Sequence, residues 1–77
     1  MPYVPAPEGL PGFPDARRVE PKNQRRRWSD RRGRIFEWDY QHGTVEVYDR
    51  RGRHLGEFDP GTGARRKGPD RARRIEP

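Results

Sequence analysis

Asp39, His42 and Glu46 are three groups that can move protons, close together in a stretch of unusual composition. Between Ile35 and Asp49 the chain carries four carboxylates and neither lysine nor arginine. A surface that only grips phosphate gains nothing from such a cluster, because each carboxylate repels the polyanion. Carboxylates that face one another shift each other's pKa upward. A carboxylate tuned in that way beside an imidazole is what general acid–base chemistry requires. A solvated strand face with an incidental histidine in a turn would give the same pattern, and the pattern alone leaves both open. These three residues could also hold a divalent ion through oxygen and imidazole. However, His42 and His54 are the only histidines, cysteine is absent, and no metal signature occurs. Chemistry without a metal or a cofactor is therefore expected. Phosphate-binding glycine loops and nucleophile elbows are absent too.

Short strands must position these groups. Arg34–Tyr40 and Thr44–Asp49 are rich in aromatic and β-branched residues, and Tyr40-Gln41-His42-Gly43 separates them as a four-residue loop. That loop sets Asp39 opposite Thr44, Glu37 opposite Glu46 and Ile35 opposite Tyr48. Alternation then gathers Phe36, Trp38, Val45 and Val47 on the other face, which supports the register. A third strand, Arg53–Phe58, follows the turn Asp49-Arg50-Arg51-Gly52. Arg25–Trp28 reads as an earlier strand, and Ala64–Lys67 and Arg71–Ile75 as weaker late ones. No window has helical periodicity of useful length. The expected fold is all-β, a small, highly twisted antiparallel sheet, barrel-like and curled over one buried face.

Residues 1–23 contain six of the nine prolines, with Gly9 and Gly12. They are expected to form an irregular arm, at most partly helical, lying across the body formed by residues 24–77. Tyr3, Val4, Leu10 and Phe13 are its candidate anchors. The 77 residues bound the chain to one small domain. The net charge of +6 comes from 16 Arg and only 2 Lys. Arginine's planar fork matches phosphate and stacks on bases, which points to nucleic acid as the partner. No apolar run approaches 18 residues, so no membrane-spanning helix is expected, and the first residues lack the apolar core of a secretory signal.

Several motifs follow in order: Arg26-Arg27-Trp28, Glu37-Trp38-Asp39, Gln41-His42-Gly43, Glu46, Tyr48, His54-Leu55-Gly56, Phe58-Asp59-Pro60, Thr62-Gly63 and Lys67-Gly68-Pro69-Asp70. Together they resemble the C-terminal cytotoxic domain of the ribosome-inactivating E-type colicins and cloacin. The likeness covers residues 25–75 with about one single-residue gap near Asp49–Arg51. Tyr3-Val4-Pro5-Ala6-Pro7 resembles the opening of that domain. The resemblance implies a twisted antiparallel sheet and a ribonuclease that cuts 16S ribosomal RNA at the decoding A site of the bacterial small subunit. It implies a tightly bound acidic immunity protein as well. The family's catalytic Asp, His and Glu fall on Asp39, His42 and Glu46, and its catalytic Arg falls on Arg73, with Arg74 the candidate if the alignment slips by one. Thr44 stands where better-known members carry another glutamate, which puts a catalytic part for position 44 in doubt.

On that resemblance the 2′-hydroxyl of RNA attacks the adjacent phosphorus and leaves a 2′,3′-cyclic phosphate. Glu46 is the expected base, His42 the acid held by Asp39, and Arg73 the group that stabilises the phosphorane; the reverse assignment of His42 and Glu46 stays open. Arg25, Arg26, Arg27, Arg31, Arg32, Arg50, Arg51, Arg65, Arg66, Lys67 and Arg71 are expected to grip the RNA backbone, and Tyr48 to stack on a base. The expected protein is a monomer that acts in the cytoplasm of a target bacterium, secreted or delivered by a route not encoded in these residues. Two rivals remain: a basic β-module that binds RNA without cutting it, and a ribonuclease of the same scaffold acting on transfer RNA or RNA at large.

Overall fold

Asp30, Asp39, Asp49 and Asp59 recur at intervals of nine or ten residues, and each leads a turn. The computed structural model describes residues 3–77. In it, Oδ1 of each of these aspartates accepts backbone N–H groups two to four residues further on. Such side-chain turns are why aspartate favours these positions. A glycine with positive φ then completes each turn: Gly33, Gly43, Gly52 and Gly63.

The turns fold the chain into six strands: β1 (Arg17–Val19), β2 (Arg27–Ser29), β3 (Ile35–Asp39), β4 (Thr44–Tyr48), β5 (His54–Phe58) and β6 (Arg65–Lys67). They form one antiparallel sheet in chain order. The all-β expectation holds, and the described residues contain no helix. The sheet is open, with β1 and β6 as its two edges, so the expected barrel-like closure is not found. β1 was not expected, because Arg17, Arg18 and Val19 are all exposed and give no alternation. Conversely, Arg71–Ile75 makes only one isolated bridge, Arg53 to Arg74. The Asp70 carbonyl accepts from Arg73 N and turns the chain, and Ile75 N docks on the Gly52 carbonyl.

One face of the sheet carries the core: Trp28, Phe36, Trp38, Val45 and Val47, joined by Leu10. Residues 3–16 cover that face. Trp38 Nε1 donates to the Val4 carbonyl at 2.8 Å, and Trp28 Nε1 to the Glu8 carbonyl at 3.3 Å. A buried indole N–H needs such an acceptor. Phe13 packs on Phe36 and Phe58 at centroid distances of 4.9 and 5.8 Å. Burying Leu10 contributes roughly 1.5–3 kcal/mol and the partly buried Phe13 adds less, so the proline-rich segment stabilises the sheet it covers. Gly12 meets Gly63 backbone to backbone, where a Cβ would stand 2.3 Å from Gly63 N.

The β3–β4 register is Ile35–Tyr48, Phe36–Val47, Glu37–Glu46, Trp38–Val45 and Asp39–Thr44, as alternation and loop length predict. The β4–β5 ladder has an irregularity at Val47/Tyr48. There Tyr48 pairs with His54, Val47 with Gly56 and Glu46 with Glu57, and Gly56 has a φ of 143°. A bulge inserts one residue and resets which side chains share a face. It puts His54 and Glu57, three residues apart, on the polar face together.

Candidate active site

Opposed residues share a face, and the polar face is ordered in three tiers along β3 and β4. At the loop end are Asp39 and Thr44; next come Glu37, Glu46 and Glu57; beyond them Tyr48 and His54. His42 reaches back from the loop to the first tier. Its Nδ1 lies 2.7 Å from Asp39 Oδ2, while Asp39 Oδ1 accepts from the backbone N–H groups of Gln41 and His42. In the other three Asp-led turns Oδ2 takes an arginine: Arg34, Arg53 or Arg66. Only at Asp39 does the same device hold an imidazole. Burial opposes the Asp39 charge, but the His42 ring and the two backbone N–H groups outweigh it and hold the carboxyl below the ordinary carboxylate range. The His42 side chain is half exposed, so its far edge can meet a ligand.

The middle tier is part of a row that crosses five strands: Arg27, Glu37, Glu46, Glu57 and Lys67. Three adjacent carboxylates repel one another unless each finds a cation or donor. Glu37 finds Arg27, whose Nη2 and Nε lie 2.7 and 3.2 Å from Glu37 Oε2, and Asn23 Nδ2 adds a bond at 3.1 Å. Glu46 is buried, and its Oε1 is 2.7 Å from His54 Nε2 and 3.2 Å from Arg73 Nη1. His54 Nδ1 accepts from Asp70 N at 2.9 Å, so the ring carries its hydrogen on Nε2 and donates to Glu46.

Arg73 Nη2 also donates to Tyr48 Oη at 3.2 Å. Burial works against the guanidinium charge, yet Tyr48 and Glu46 more than offset it and raise the Arg73 pKa. Burial keeps Tyr48 a phenol, its pKa pushed up further by Glu37 and Glu46 against the pull of Arg73. A cleft of about 550 Å³ opens beside this tier, lined by Asn23, Arg25, Glu37, Tyr48, Arg73 and Ile75 among others.

The structure therefore brings Asp39, His42, Glu46 and Arg73 onto one face. Arg73 reaches Glu46, whereas Arg74 bridges to Arg53 through its backbone. Two expectations need correcting. Arg27 is buried in its pair with Glu37 and presents no charge to RNA, and Tyr48, 1% exposed, has no free ring face for a base. Arg25, Arg31, Arg32, Arg65, Lys67 and Arg71 are exposed. Arg26 is partly buried against the Pro7 carbonyl and Glu8, and Arg66 is tied to Asp59.

Sequence reasoning missed His54 and Glu57 as members of this face. The doubled spacing signal, His54 opposite Tyr48 and Glu57 opposite Glu46, becomes visible only once a bulge is allowed at Gly56. Asp39, His42 and Glu57 each offer an oxygen or nitrogen within 4.8 Å of the others, a donor set that could also take a divalent ion. The same three groups are equally suited to moving protons.

The family model named Cytotoxic matches residues 4–76, and the chain belongs to that family. Within it, the chain is 45% identical to colicin E3 of Escherichia coli over 85 residues, covering 96% of this chain and 15% of colicin E3. Cloacin and colicin-E6, also of Escherichia coli, are each 41% identical over 85 residues with the same coverage. The chain thus spans about 15% of the length of these relatives.

Proposed function

We propose that this chain is a ribonuclease toxin domain that cuts 16S ribosomal RNA at the decoding A site without a metal ion, by 2′-hydroxyl attack. The observation that carries the reading is the polar face itself: the Asp39–His42 pair, a carboxylate row and Arg73 stand together on one sheet. Membership of the Cytotoxic family supports it. His42, oriented through Nδ1 by Asp39, presents its other nitrogen to the leaving 5′ oxygen as general acid. Arg73 stabilises the negative charge that grows on the phosphorane. Glu46 stands on the base side of the reaction and anchors Arg73. The exposed arginines hold the RNA backbone without reading its sequence. The cleft beside Arg73 is wide enough to seat a nucleotide that flanks the cut.

The same reading includes an acidic immunity protein that covers the basic surface in the producing cell, and action as a monomer in the cytoplasm of a target bacterium. It is tested with purified bacterial ribosomes incubated with the protein in excess EDTA, the small-subunit RNA being run on a denaturing gel. One discrete short 3′ fragment, absent with His42→Ala, supports the reading. Intact RNA, or naked RNA cut as fast as ribosomes, overturns it. DNA, which lacks the 2′-hydroxyl, stays uncut.

A further inference from the structure

The sequence Asp-Arg-Arg-Gly-Arg occurs twice, at 30–34 and at 49–53, and the two copies fold alike. Asp30 Oδ1 accepts from Arg32 N and Arg34 N at 3.0 and 2.9 Å, and Asp49 Oδ1 from Arg51 N and Arg53 N at 2.8 and 3.0 Å. In each copy Oδ2 takes the Nε of the last arginine, at 2.7 Å from Arg34 and 3.0 Å from Arg53. The glycine φ is 79° at Gly33 and 85° at Gly52. Both turns lie at the same end of the sheet, because β3 follows the first, β4 precedes the second, and Ile35 pairs with Tyr48. They touch there: a Cβ on Gly33 would stand 3.0 Å from Arg50 Cβ. A cleft of about 450 Å³ between them is lined by Arg32, Arg34, Asp49, Arg50, Arg51 and Arg53. Ten residues thus bring together six arginines and two aspartates. The aspartates engage Arg34 and Arg53. Arg31, Arg32, Arg50 and Arg51 are exposed and make no ion pair among the described residues. Asp15 lines the adjoining hollow but pairs with none of them. Like charges held this close repel one another, and a bound polyanion relieves that repulsion.

We infer that the paired turns form a single RNA-docking site, remote from the cut, that holds the phosphodiester backbone of a second stretch of the substrate. The inference rests on the ribonuclease reading only for the choice of RNA. β3 and β4 lead from these turns to the His42 loop, and five residues at about 3.4 Å each set the two ends roughly 17 Å apart. An RNA whose scissile phosphate lies at His42 reaches the turns only several nucleotides further along, or by a neighbouring strand of its fold. Guanidinium forks match phosphate oxygens bidentately. An acidic protein would meet the same charge, but a stable protein interface has an apolar centre. The two turns consist of arginine, aspartate and glycine alone and offer none. Both aspartates are occupied within their own turns, so no acceptor is left to read a base, and the site positions the RNA without reading its sequence. Arg31, Arg32, Arg50 and Arg51 hold the substrate and take no part in the bond change.

The experiment measures binding to bacterial ribosomes and to protein-free small-subunit RNA over a range of salt, in a His42→Ala background that keeps the RNA whole. The fourfold variant Arg31→Gln, Arg32→Gln, Arg50→Gln, Arg51→Gln is compared with its parent, and with each turn's pair changed alone. Thermal unfolding is followed alongside and is expected to stay put, because the Asp30 and Asp49 bonds remain. The fourfold variant is expected to bind both RNAs about 10²–10³-fold more weakly near 0.1 M salt, with a salt slope shallower by about three. With His42 restored, its single-turnover cleavage at saturating ribosomes is expected to match wild type. Each pair alone is expected to cost more than half of the combined loss on a logarithmic scale, since contacts within one site couple. Unchanged affinity overturns the inference, and strictly multiplicative losses overturn the single site. Weakened binding to ribosomes with undiminished binding to protein-free RNA assigns the turns to a ribosomal protein and overturns it too. A wild type that binds RNA through these turns yet leaves ribosomal RNA intact overturns the ribonuclease reading and leaves the docking site standing.

Discussion

His54 donates from Nε2 to Glu46 Oε1 at 2.7 Å, and both side chains are almost entirely buried. The Asp70 amide fixes the ring from the other side, so this one imidazole ties β4, β5 and the C-terminal segment together. Replacing it with alanine leaves Glu46 buried with Arg73 as its sole donor and removes the Tyr48–His54 edge contact at 5.2 Å. His54→Ala is expected to cost about 2–4 kcal/mol, the range for stranding a buried charged partner. Urea denaturation at neutral pH measures it. A loss below 0.5 kcal/mol, roughly that of a neutral surface change, would mean the pair carries no structural weight.

Arg27 and Glu37 form the most enclosed ion pair of the fold, with side chains 4% and 1% exposed. Breaking such a pair from one side is far more damaging than replacing both partners. Arg27→Ala is expected to destabilise by about 3–5 kcal/mol. The double variant Arg27→Met, Glu37→Leu is expected to recover much of that. Both are checked by urea unfolding. A folded Arg27→Ala protein whose ribosome affinity alone has dropped would restore the RNA-binding part expected from sequence.

How much of this was legible in the sequence depended on whether the controlling contact was local. The β3–β4 register could be read because loop length and apolar alternation independently demand the same pairing. Hence Asp39, Glu37 and Glu46 were seen to share a face. Glu57 was hidden by the bulge at Gly56, since strict alternation in His54–Phe58 separates His54 from Glu57. From sequence Arg27 and Tyr48 read as available, because strand alternation alone leaves the polar face open to solvent. In the fold, residues 23–25 and 72–75 flank it and line the cleft there. Arg73 came only from the family resemblance. Its contact with Glu46 depends on the docking of Ile75 on Gly52, which no local pattern announces. The polar strand β1 left no signal, having no buried residue.

Asp59 gives the fold a pH dependence of known sign. Its carboxylate accepts from the N–H groups of Thr62 and Gly61 and from Arg66, which bring its pKa down to about 2. An unfolded aspartate titrates near 3.9. A depressed folded pKa means the contribution is fully present above about pH 4 and fades as pH falls towards 2. Asp59→Asn is thus expected to be less stable than wild type at pH 6.5, with the gap narrowed to roughly a third at pH 2.5. Paired urea titrations at the two pH values measure this. An equal gap at both would assign the Asp59 contribution to geometry rather than charge.

Arg73 and the outer arginines are expected to fail in different ways when changed. Arg73 uses two guanidinium nitrogens at once, one on Glu46 and one on Tyr48, a fork that lysine lacks. Arg73→Lys is expected to lower the cleavage rate about 10²–10³-fold, the loss typical of one transition-state donor, with ribosome affinity little changed. Arg65→Gln with Arg71→Gln is expected to weaken ribosome binding and flatten its salt dependence by about two charges' worth. Gly52→Ala tests the link from fold to Arg73. With φ at 85°, a Cβ there would stand 2.1 Å from the Ile75 carbonyl oxygen. The C-terminal segment must then shift, at a cost of about 1–3 kcal/mol, and carry Arg73 off Glu46. Its rate is expected to fall like that of Arg73→Lys although no reacting group has been touched. Single-turnover rates with binding isotherms at two salt concentrations separate the three. A fully active Gly52→Ala would show that Arg73 does not need its present anchor.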